Sequence, residues 1–164
     1  MSKVIWKFGD DISTDIIYPG RYMATVLPTE TPAYAFDDNK ELNKMLVNKE
    51  VPEQSIIVAD KNFGCGSSRE QAASALKGHE LIIVAKNFSR IFLQNCINLG
   101  LQTVVCPEIE ADKGDELEII SDKLINKTSG KEFAIIPHAA AQQEIIDAGG
   151  LIEYTRKRLF EMNK

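Results

Sequence analysis

Cysteine and histidine are scarce in this sequence of 164 residues. Three cysteines, Cys65, Cys96 and Cys106, and two histidines, His79 and His138, are spread along the chain without metal-ligand spacing. An odd number of cysteines without a C-x-x-C motif gives no disulfide framework. Zinc sites and iron–sulfur clusters need several such ligands at characteristic spacing. We therefore expect this chain to bind no metal and no cluster by itself.

Long apolar runs and an excess of positive charge are also missing. No run approaches the roughly 18 apolar residues of a membrane span, and the first residues lack the apolar stretch of a signal peptide. Lys and Arg total 19 against 24 Asp and Glu, a net charge of -5. This balance disfavours nucleic-acid binding, because phosphate contacts need a basic surface. The sequence predicts a cytoplasmic protein with no nucleic-acid or membrane partner.

The composition that remains is that of one folded domain. Apolar residues make up 44% of the chain and charged residues 26%. A chain of this length buries roughly two thirds of the surface that its unfolded form exposes. We expect a single domain over residues 1–164.

Strands and helices alternate through the centre of the sequence. Apolar runs typical of strands buried on both faces alternate with helical segments. The order is strand 55–59, helix 69–77 ended by Gly78, strand 81–85, helix 88–99 ended by Gly100, and strand 101–106. This order predicts right-handed crossovers and a parallel sheet.

The flanking segments complete the predicted fold. They are a strand at 3–8, an extended loop at 12–31, a short helix at 37–47 with Asp37 or Asp38 as its N-cap, strands at 116–121 and 132–136 around a turn at 126–130, and helices at 139–148 and 151–162. In the last helix, the residues expected to pack on the body are Leu151, Ile152, Tyr154, Leu159 and Phe160. The fold class is α/β, with central parallel strands and an added antiparallel section that forms a hairpin or a small barrel wall.

The most informative segment is Gly64-Cys-Gly-Ser-Ser-Arg-Glu70, between a buried strand and a helix start. Backbone N–H groups and the helix dipole favour an anion at such a place. The segment lacks the lysine of a P-loop and the third glycine of a dinucleotide fingerprint, which weakens a nucleotide-binding interpretation. The guanidinium of Arg69 suits a carboxylate, and a carboxylate ligand is the better prediction.

Two serines in this segment each begin a capping-box pattern. Ser67 precedes Glu70 by three residues, and Ser68 precedes Gln71 by three. In one interpretation the serines only cap the helix. In the other, Ser68 caps the helix and leaves the Ser67 hydroxyl free to act as a base, provided that N–H groups and Arg69 stabilise its alkoxide.

Several segments together resemble the swivelling domain of the aconitase superfamily, and within it the small subunits of 3-isopropylmalate dehydratases and homoaconitase-like enzymes. They are Gly9-Asp-Asp-Ile-Ser-Thr-Asp-Ile-Ile-Tyr-Pro19, Gly20-Arg-Tyr22, Asn62-Phe-Gly64, Gly66-Ser-Ser-Arg-Glu70, Ser89-Arg-Ile-Phe92 and Asn95-Cys-Ile-Asn98-Leu-Gly-Leu101. They occur in the family's order, which makes the combined signal specific.

This resemblance implies a swivelling β/β/α domain and a hydro-lyase made of two proteins. The partner would be a large subunit that carries a 4Fe-4S cluster, while this chain binds no cofactor and closes over the partner. The implied substrate is a hydroxy dicarboxylate, either 3-isopropylmalate of leucine biosynthesis or a dimethylmalate-type compound. The alternatives that remain are a non-catalytic dicarboxylate-binding or regulatory module and, more weakly, a nucleotide-binding domain.

The resemblance also implies roles for individual residues. Ser67 is the implied general base, which removes a proton from the carbon next to a carboxylate. The implied substrate-binding residues are Ser68, Arg69, Arg21, Met23 and Ala24, and the implied supporting residues are Thr14, Asp15, Gly64, Gly66 and Arg90. No residue is implied as a metal ligand.

The specificity loop of the family falls on residues 21–25 and departs from one of its patterns. Homoaconitase-like members resemble Tyr-Leu-Arg-Thr here, with an arginine for an extra carboxylate, whereas this chain has Tyr22-Met-Ala-Thr25. Because Ala24 cannot pair with a third carboxylate, a substrate with an apolar or small side group is favoured. Gln71 stands where many leucine-pathway members have His, and Gln94 where Arg is frequent.

The remaining cysteines and histidines have structural interpretations. We expect Cys65, Cys96 and Cys106 to be small core residues, His138 to serve a cap or turn, and His79 to be solvated.

Overall fold

A computed structural model describes residues 1–163, with a seven-stranded sheet at its centre. The strands are β1 (Ser2–Lys7), β2 (Ile56–Ala59), β3 (Ile82–Ala85), β4 (Gln102–Val105), β5 (Glu116–Ile120), β6 (Lys123–Asn126) and β7 (Glu132–Ala134), in the spatial order β4-β3-β2-β1-β5-β6-β7. The strands β1 to β4 pair in parallel, and β1, β5, β6 and β7 pair antiparallel. The predicted parallel centre with an added antiparallel section is confirmed.

The parallel strands have continuous apolar sequences because the sheet separates two cores. On one face, Ile57 and Ile83 pack in a cluster with apolar residues of the helices. On the other face, the neighbouring residues Ile56 and Ile82 pack with residues of the antiparallel strands, among them Leu117. Alternate residues of each strand therefore serve different cores.

The sheet curls around the second core until its outer strands meet. After β7, the Ile136 N–H donates to the Val105 carbonyl at 2.8 Å, and the Cys106 thiol donates to the Ala134 carbonyl at 3.4 Å. This corresponds to the predicted barrel wall. The strand β6 was not predicted, because only Leu124 and Ile125 are apolar in its four residues.

Residues 1–163 form six α-helices beside the sheet. They are α1 (Thr14–Ile17), α2 (Lys40–Val47), α3 (Glu70–Gly78), α4 (Arg90–Leu99), α5 (Ala140–Asp147) and α6 (Leu151–Met162). The predicted loop at 12–31 is partly helical, since it contains α1 and a 3-10 turn at Gly20–Tyr22. Within residues 1–163, none of these helices has the length and apolarity needed to cross a bilayer.

The predicted N-cap of α2 is wrong. Asn39 caps this helix, because its side-chain oxygen accepts a hydrogen bond from the Leu42 N–H at 3.1 Å. The carboxylate of Asp37 accepts hydrogen bonds from Arg21 and Tyr22 instead. The cap therefore moves to the next residue that has a free side-chain acceptor.

The predicted packing of α6 is also wrong. The Tyr154 side chain contacts α5, where its hydroxyl lies 3.5 Å from a carboxylate oxygen of Glu144. Four of the five residues expected in the core are exposed: Leu151, Ile152, Leu159 and Phe160.

Both histidines contact backbone carbonyls. His79 is not solvated as predicted: its Nε2 lies 2.8 Å from the Pro32 carbonyl, and burial lowers its pKa. His138 has no capping role. Its Nε2 lies 2.8 Å from the Thr103 carbonyl, and this contact connects the segment before α5 to β4. Cys96 and Cys106 are buried as expected, whereas Cys65 is partly exposed.

Candidate functional site

The loops that follow β1, β2 and β3 meet at one edge of the sheet, where the carboxyl ends of parallel strands form ligand sites in α/β folds. Two backbone hydrogen bonds join these loops. The Thr14 N–H donates to the Cys65 carbonyl at 2.8 Å, and the Ser89 N–H donates to the Phe63 carbonyl at 2.9 Å. Segments that are distant in sequence thus form a continuous surface around the predicted serine turn.

The turn requires glycine at position 64. Its φ is +85°, and a Cβ built there would lie 2.2 Å from Cγ of Phe92 in α4. The phenylalanine ring therefore closes directly against the backbone of the turn. Gly66, with a φ of +91°, adds a second left-handed residue immediately before the serines.

Neither serine caps the helix that follows. Helix α3 begins at Glu70, and its N-cap is Arg69, which makes no side-chain capping hydrogen bond. The predicted capping role is therefore wrong for both serines, because the helix begins after Arg69, whose backbone is extended. Ser67 and Ser68 are exposed, and their hydroxyls make no hydrogen bond within residues 1–163.

Thr14 holds the backbone of the serine turn. Its side chain is buried, and its hydroxyl donates to the Ser67 carbonyl at 2.7 Å. The same residue donates its N–H to the Cys65 carbonyl. Thr14 therefore holds the backbone of the turn through two hydrogen bonds, at Cys65 and at Ser67.

Arg69 forms an ion pair with Asp15. Its Nη1 donates to Oδ1 of Asp15 at 2.7 Å and to the Tyr18 carbonyl at 3.1 Å. The guanidinium hydrogen bond, followed by one from the Gly20 N–H, holds the pKa of Asp15 below its usual value. The Arg69 side chain is only 15% exposed. Its Nε and Nη2 make no hydrogen bond within the described chain, so these donors remain open to a ligand.

The predicted specificity loop lies beside this pair. Met23 and Ala24 are exposed. The Arg21 guanidinium contacts carboxylates of Asp37 at 2.6 Å and Asp38 at 2.7 Å. The charge of Arg21 is thus compensated within the chain, as that of Arg69 is by Asp15.

Arg90 lies outside the hydrogen-bonded network. It is exposed, and it makes no hydrogen bond or ion pair with residues 1–163. Two residues that the sequence did not assign to the site are part of the network instead. The Gln71 side chain donates to the Met23 carbonyl, and the Tyr18 hydroxyl contacts two carbonyls of the same loop. No spacing pattern indicates such side chain to backbone contacts.

The cysteine, histidine and acidic side chains are the candidate ligands for a metal ion or an iron–sulfur cluster. Residues 1–163 contain no group of three or more His, Cys, Asp or Glu side chains that could hold a metal ion. Burial raises the pKa of the Cys106 thiol to about 11 and that of Cys96 also well above its usual value. Cys96 and Cys106 also belong to different cores, whereas a cluster needs several thiolates at one place. These residues do not fit an iron–sulfur cluster.

Comparison with known proteins places this geometry in a family. The family model of the aconitase C-terminal domain matches residues 13–109. The 3-isopropylmalate dehydratase small subunit of Methanosarcina mazei is 46% identical over 160 residues, which cover 95% of this chain and 96% of that protein. The small subunit 1 of Archaeoglobus fulgidus is 41% identical over 155 residues, which cover 92% and 94%.

A solved structure agrees with this placement. The crystal structure of 3-isopropylmalate dehydratase from Methanocaldococcus jannaschii superimposes with a TM-score of 0.87 at 36% identity, covering 98% of this chain and 96% of that chain. The swivelling α/β fold and the class of enzyme, a hydro-lyase subunit, are thereby confirmed. The chain belongs to the family of 3-isopropylmalate dehydratase small subunits within the aconitase C-terminal domain family.

Proposed function

We propose that this chain is the small subunit of a two-protein dehydratase that isomerises 3-isopropylmalate in leucine biosynthesis, in the cytoplasm. The observation that carries the proposal is the serine turn. It presents the hydroxyls of Ser67 and Ser68 at the surface beside Arg69, on a backbone that Thr14 holds in place. Relatives named as small subunits over nearly the whole chain support the choice of reaction.

In this proposal Ser67 acts as the general base. Its alkoxide takes a proton from the carbon next to a substrate carboxylate, while the hydroxyl on the neighbouring carbon leaves with its bonding electrons, and an alkene diacid results. Addition of water in the opposite sense returns the proton from Ser67. The Ser67 hydroxyl has no competing hydrogen bond within the described residues, which leaves it available for this transfer.

Ser68 and Arg69 bind a substrate carboxylate. Nε and Nη2 of Arg69 retain their donors after Nη1 pairs with Asp15. Fixing the guanidinium in advance lowers the entropy lost when a dicarboxylate binds. The Ser68 hydroxyl adds a neutral donor from the adjacent residue.

The specificity loop favours an apolar side group on the substrate. The exposed side chains of Met23 and Ala24 carry no charge. The charge of Arg21 is already balanced by the carboxylates of Asp37 and Asp38 within the chain. An isopropyl or dimethyl side group is therefore a better match to this loop than a side group with an additional carboxylate.

The Lewis acid for the leaving hydroxyl is assigned to a 4Fe-4S cluster in a large-subunit partner. Since the residues of this chain do not fit a cluster, they supply only the base, the carboxylate contacts and the specificity loop. Activity is accordingly expected from the pair of subunits and not from this chain alone.

Replacing Ser67 with alanine tests the proposal. The variant and the wild-type chain are each assembled with a cluster-loaded large subunit, and formation of the alkene diacid is followed by ultraviolet absorbance. We expect kcat to fall at least about 1,000-fold in Ser67→Ala. Ser68→Ala is expected to raise KM more than it lowers kcat, and Ser129→Ala, in the turn after β6, to change neither.

Two results would count against the proposal. Near-normal kcat in Ser67→Ala would show that another group is the base. A wild-type pair that forms no product, combined with binding of a dicarboxylate to the chain alone, would favour the non-catalytic binding module. Isothermal titration of the chain with 3-isopropylmalate measures that binding.

A further inference from the structure

One buried hydroxyl holds the two ends of the specificity loop. The Tyr18 ring is fully buried, and its hydroxyl lies 3.1 Å from the Tyr22 carbonyl and 3.1 Å from the Thr25 carbonyl. The single hydroxyl hydrogen is shared between the two carbonyls, so the chain between them forms a closed loop. The two residues in the middle of that loop are Met23 and Ala24.

The middle of the loop is held by a different element. Nε2 of Gln71, in the first turn of α3, donates to the Met23 carbonyl at 3.1 Å. Two residues earlier, Arg69 donates to the carbonyl of Tyr18, the residue whose side chain holds the ends of the loop. The beginning of α3, which directly follows the serine turn, thus contacts the loop directly through Gln71 and its anchor Tyr18 through Arg69.

These contacts restrain the backbone of the specificity loop and leave the Met23 and Ala24 side chains exposed. On the far side of the loop, Arg21 is paired with Asp37, and the Tyr22 hydroxyl donates to the same carboxylate at 2.8 Å. The Met23 and Ala24 side chains remain exposed. Among these contacts, the hydrogen bond from Gln71 is the one that joins the Met23 backbone directly to the helix that follows the serine turn.

We propose that Gln71 is a specificity-determining positioning residue, which selects the size of the substrate side group by holding the Met23 backbone against the start of α3. The selectivity part of this inference rests on the proposed function. Without the amide donor, the Met23 and Ala24 segment moves relative to Ser67. Substrates with side groups of different size are then discriminated less well, while the serine turn itself keeps its Thr14 contacts.

Three variants test this role. Gln71→Met keeps the length of the side chain and removes the donor, whereas Gln71→His retains an N–H of similar reach. Gln143→Met is the matched control, because Gln143 in α5 makes an equivalent side-chain hydrogen bond, to Asp147 at 2.9 Å. Amide hydrogen exchange of residues 22–25 is measured in each chain. The ratio of kcat/KM for 3-isopropylmalate and 3-methylmalate is measured in each assembled enzyme.

In Gln71→Met we expect hydrogen exchange in the loop to rise about fivefold and the kcat/KM ratio to change at least about threefold, as the loss of one hydrogen bond implies. Gln71→His should return both values toward those of the wild type, and Gln143→Met should leave both unchanged. Such a combined result supports the positioning role, because a merely structural role would not shift the ratio between two substrates.

Other results would overturn it. Unchanged exchange in Gln71→Met would mean that Gln71 does not hold the loop. Faster exchange with an unchanged ratio would mean that the position of the loop does not set selectivity. A wild-type enzyme that turns over neither substrate would instead refute the proposed function, and with it the selectivity claim, while the exchange data would still decide whether Gln71 holds the loop.

Discussion

Replacing Thr14 with valine removes one hydroxyl from a buried side chain while keeping its shape. In the wild type this hydroxyl donates to the Ser67 carbonyl at 2.7 Å, and the Thr14 side chain is 2% exposed. Valine leaves the carbonyl without its donor. The backbone of the serine turn then retains only the Thr14 N–H contact with Cys65 on this side.

The expected cost follows from this contact. Loss of a partly buried hydrogen bond, with its acceptor left behind, costs about 1.5 kcal/mol of the free energy of unfolding. For a domain of this length that corresponds to a fall in Tm of about 3–6 °C. Because Ser67 loses part of its support, kcat of the assembled enzyme should also fall at least about tenfold.

Thr31→Val provides a matched control. The Thr31 hydroxyl lies 2.8 Å from the Ser74 hydroxyl, and both residues are buried in a contact that does not involve the serine turn. Differential scanning calorimetry should give a similar fall in Tm for both variants. Only Thr14→Val should lower kcat in the absorbance assay.

Equal kcat in the two variants would refute the positioning argument, since stability would then have been lost without any effect on the serine. An unchanged Tm in Thr14→Val would refute the energetic argument, because it would mean that the hydroxyl contributes no net stability.

Two further predictions concern the same edge of the sheet. Because Arg69 lowers the pKa of Asp15 in the folded chain, the pairing stabilises the fold above the unfolded pKa of 3.8 and is lost as pH falls through the lower folded value. In urea unfolding, the wild type should therefore be more stable than Asp15→Asn at about pH 6, with the difference shrinking below about pH 4; a constant difference would contradict the pairing. Gly64→Ala should cost at least about 3 kcal/mol, because its Cβ would meet Phe92, whereas Gly114→Ala, with a φ of +98° and no atom within 4 Å, should cost only about 1 kcal/mol of backbone strain. Thermal denaturation compares these two variants, and equal losses would show that the Phe92 contact is unimportant.

The parallel strands could be predicted from the sequence because their burial leaves a local signal. Each of β2, β3 and β4 lies within its predicted range, since strands between two cores are apolar at successive positions. The strand β6 lacks that signal, because Lys123 and Asn126 flank its two apolar residues. The exposure of the apolar side chains of α6 could not be predicted either, since the sequence of a helix does not reveal whether another element covers them.

The details of the site depend on contacts that no local pattern contains. The spacing of Ser67 and Glu70 is that of a capping box, but Ser67 does not cap α3, and the hydroxyl of Thr14, 53 residues earlier, binds its carbonyl. Gly78 shows the same limit. It is the last residue of α3, as predicted, but the sequence does not reveal that a Cβ at this position would meet the ring of Pro32. Its role is close approach of another segment.

The hydrogen bond from the Ile136 N–H to the Val105 carbonyl changes what the molecule offers to other chains. A free edge strand carries a row of unpaired backbone groups onto which a strand of another molecule can add. Here the outer strands β4 and β7 are drawn together by the curl, so each one shields part of the other. The same curl that encloses the second core therefore also protects the protein against edge-to-edge aggregation.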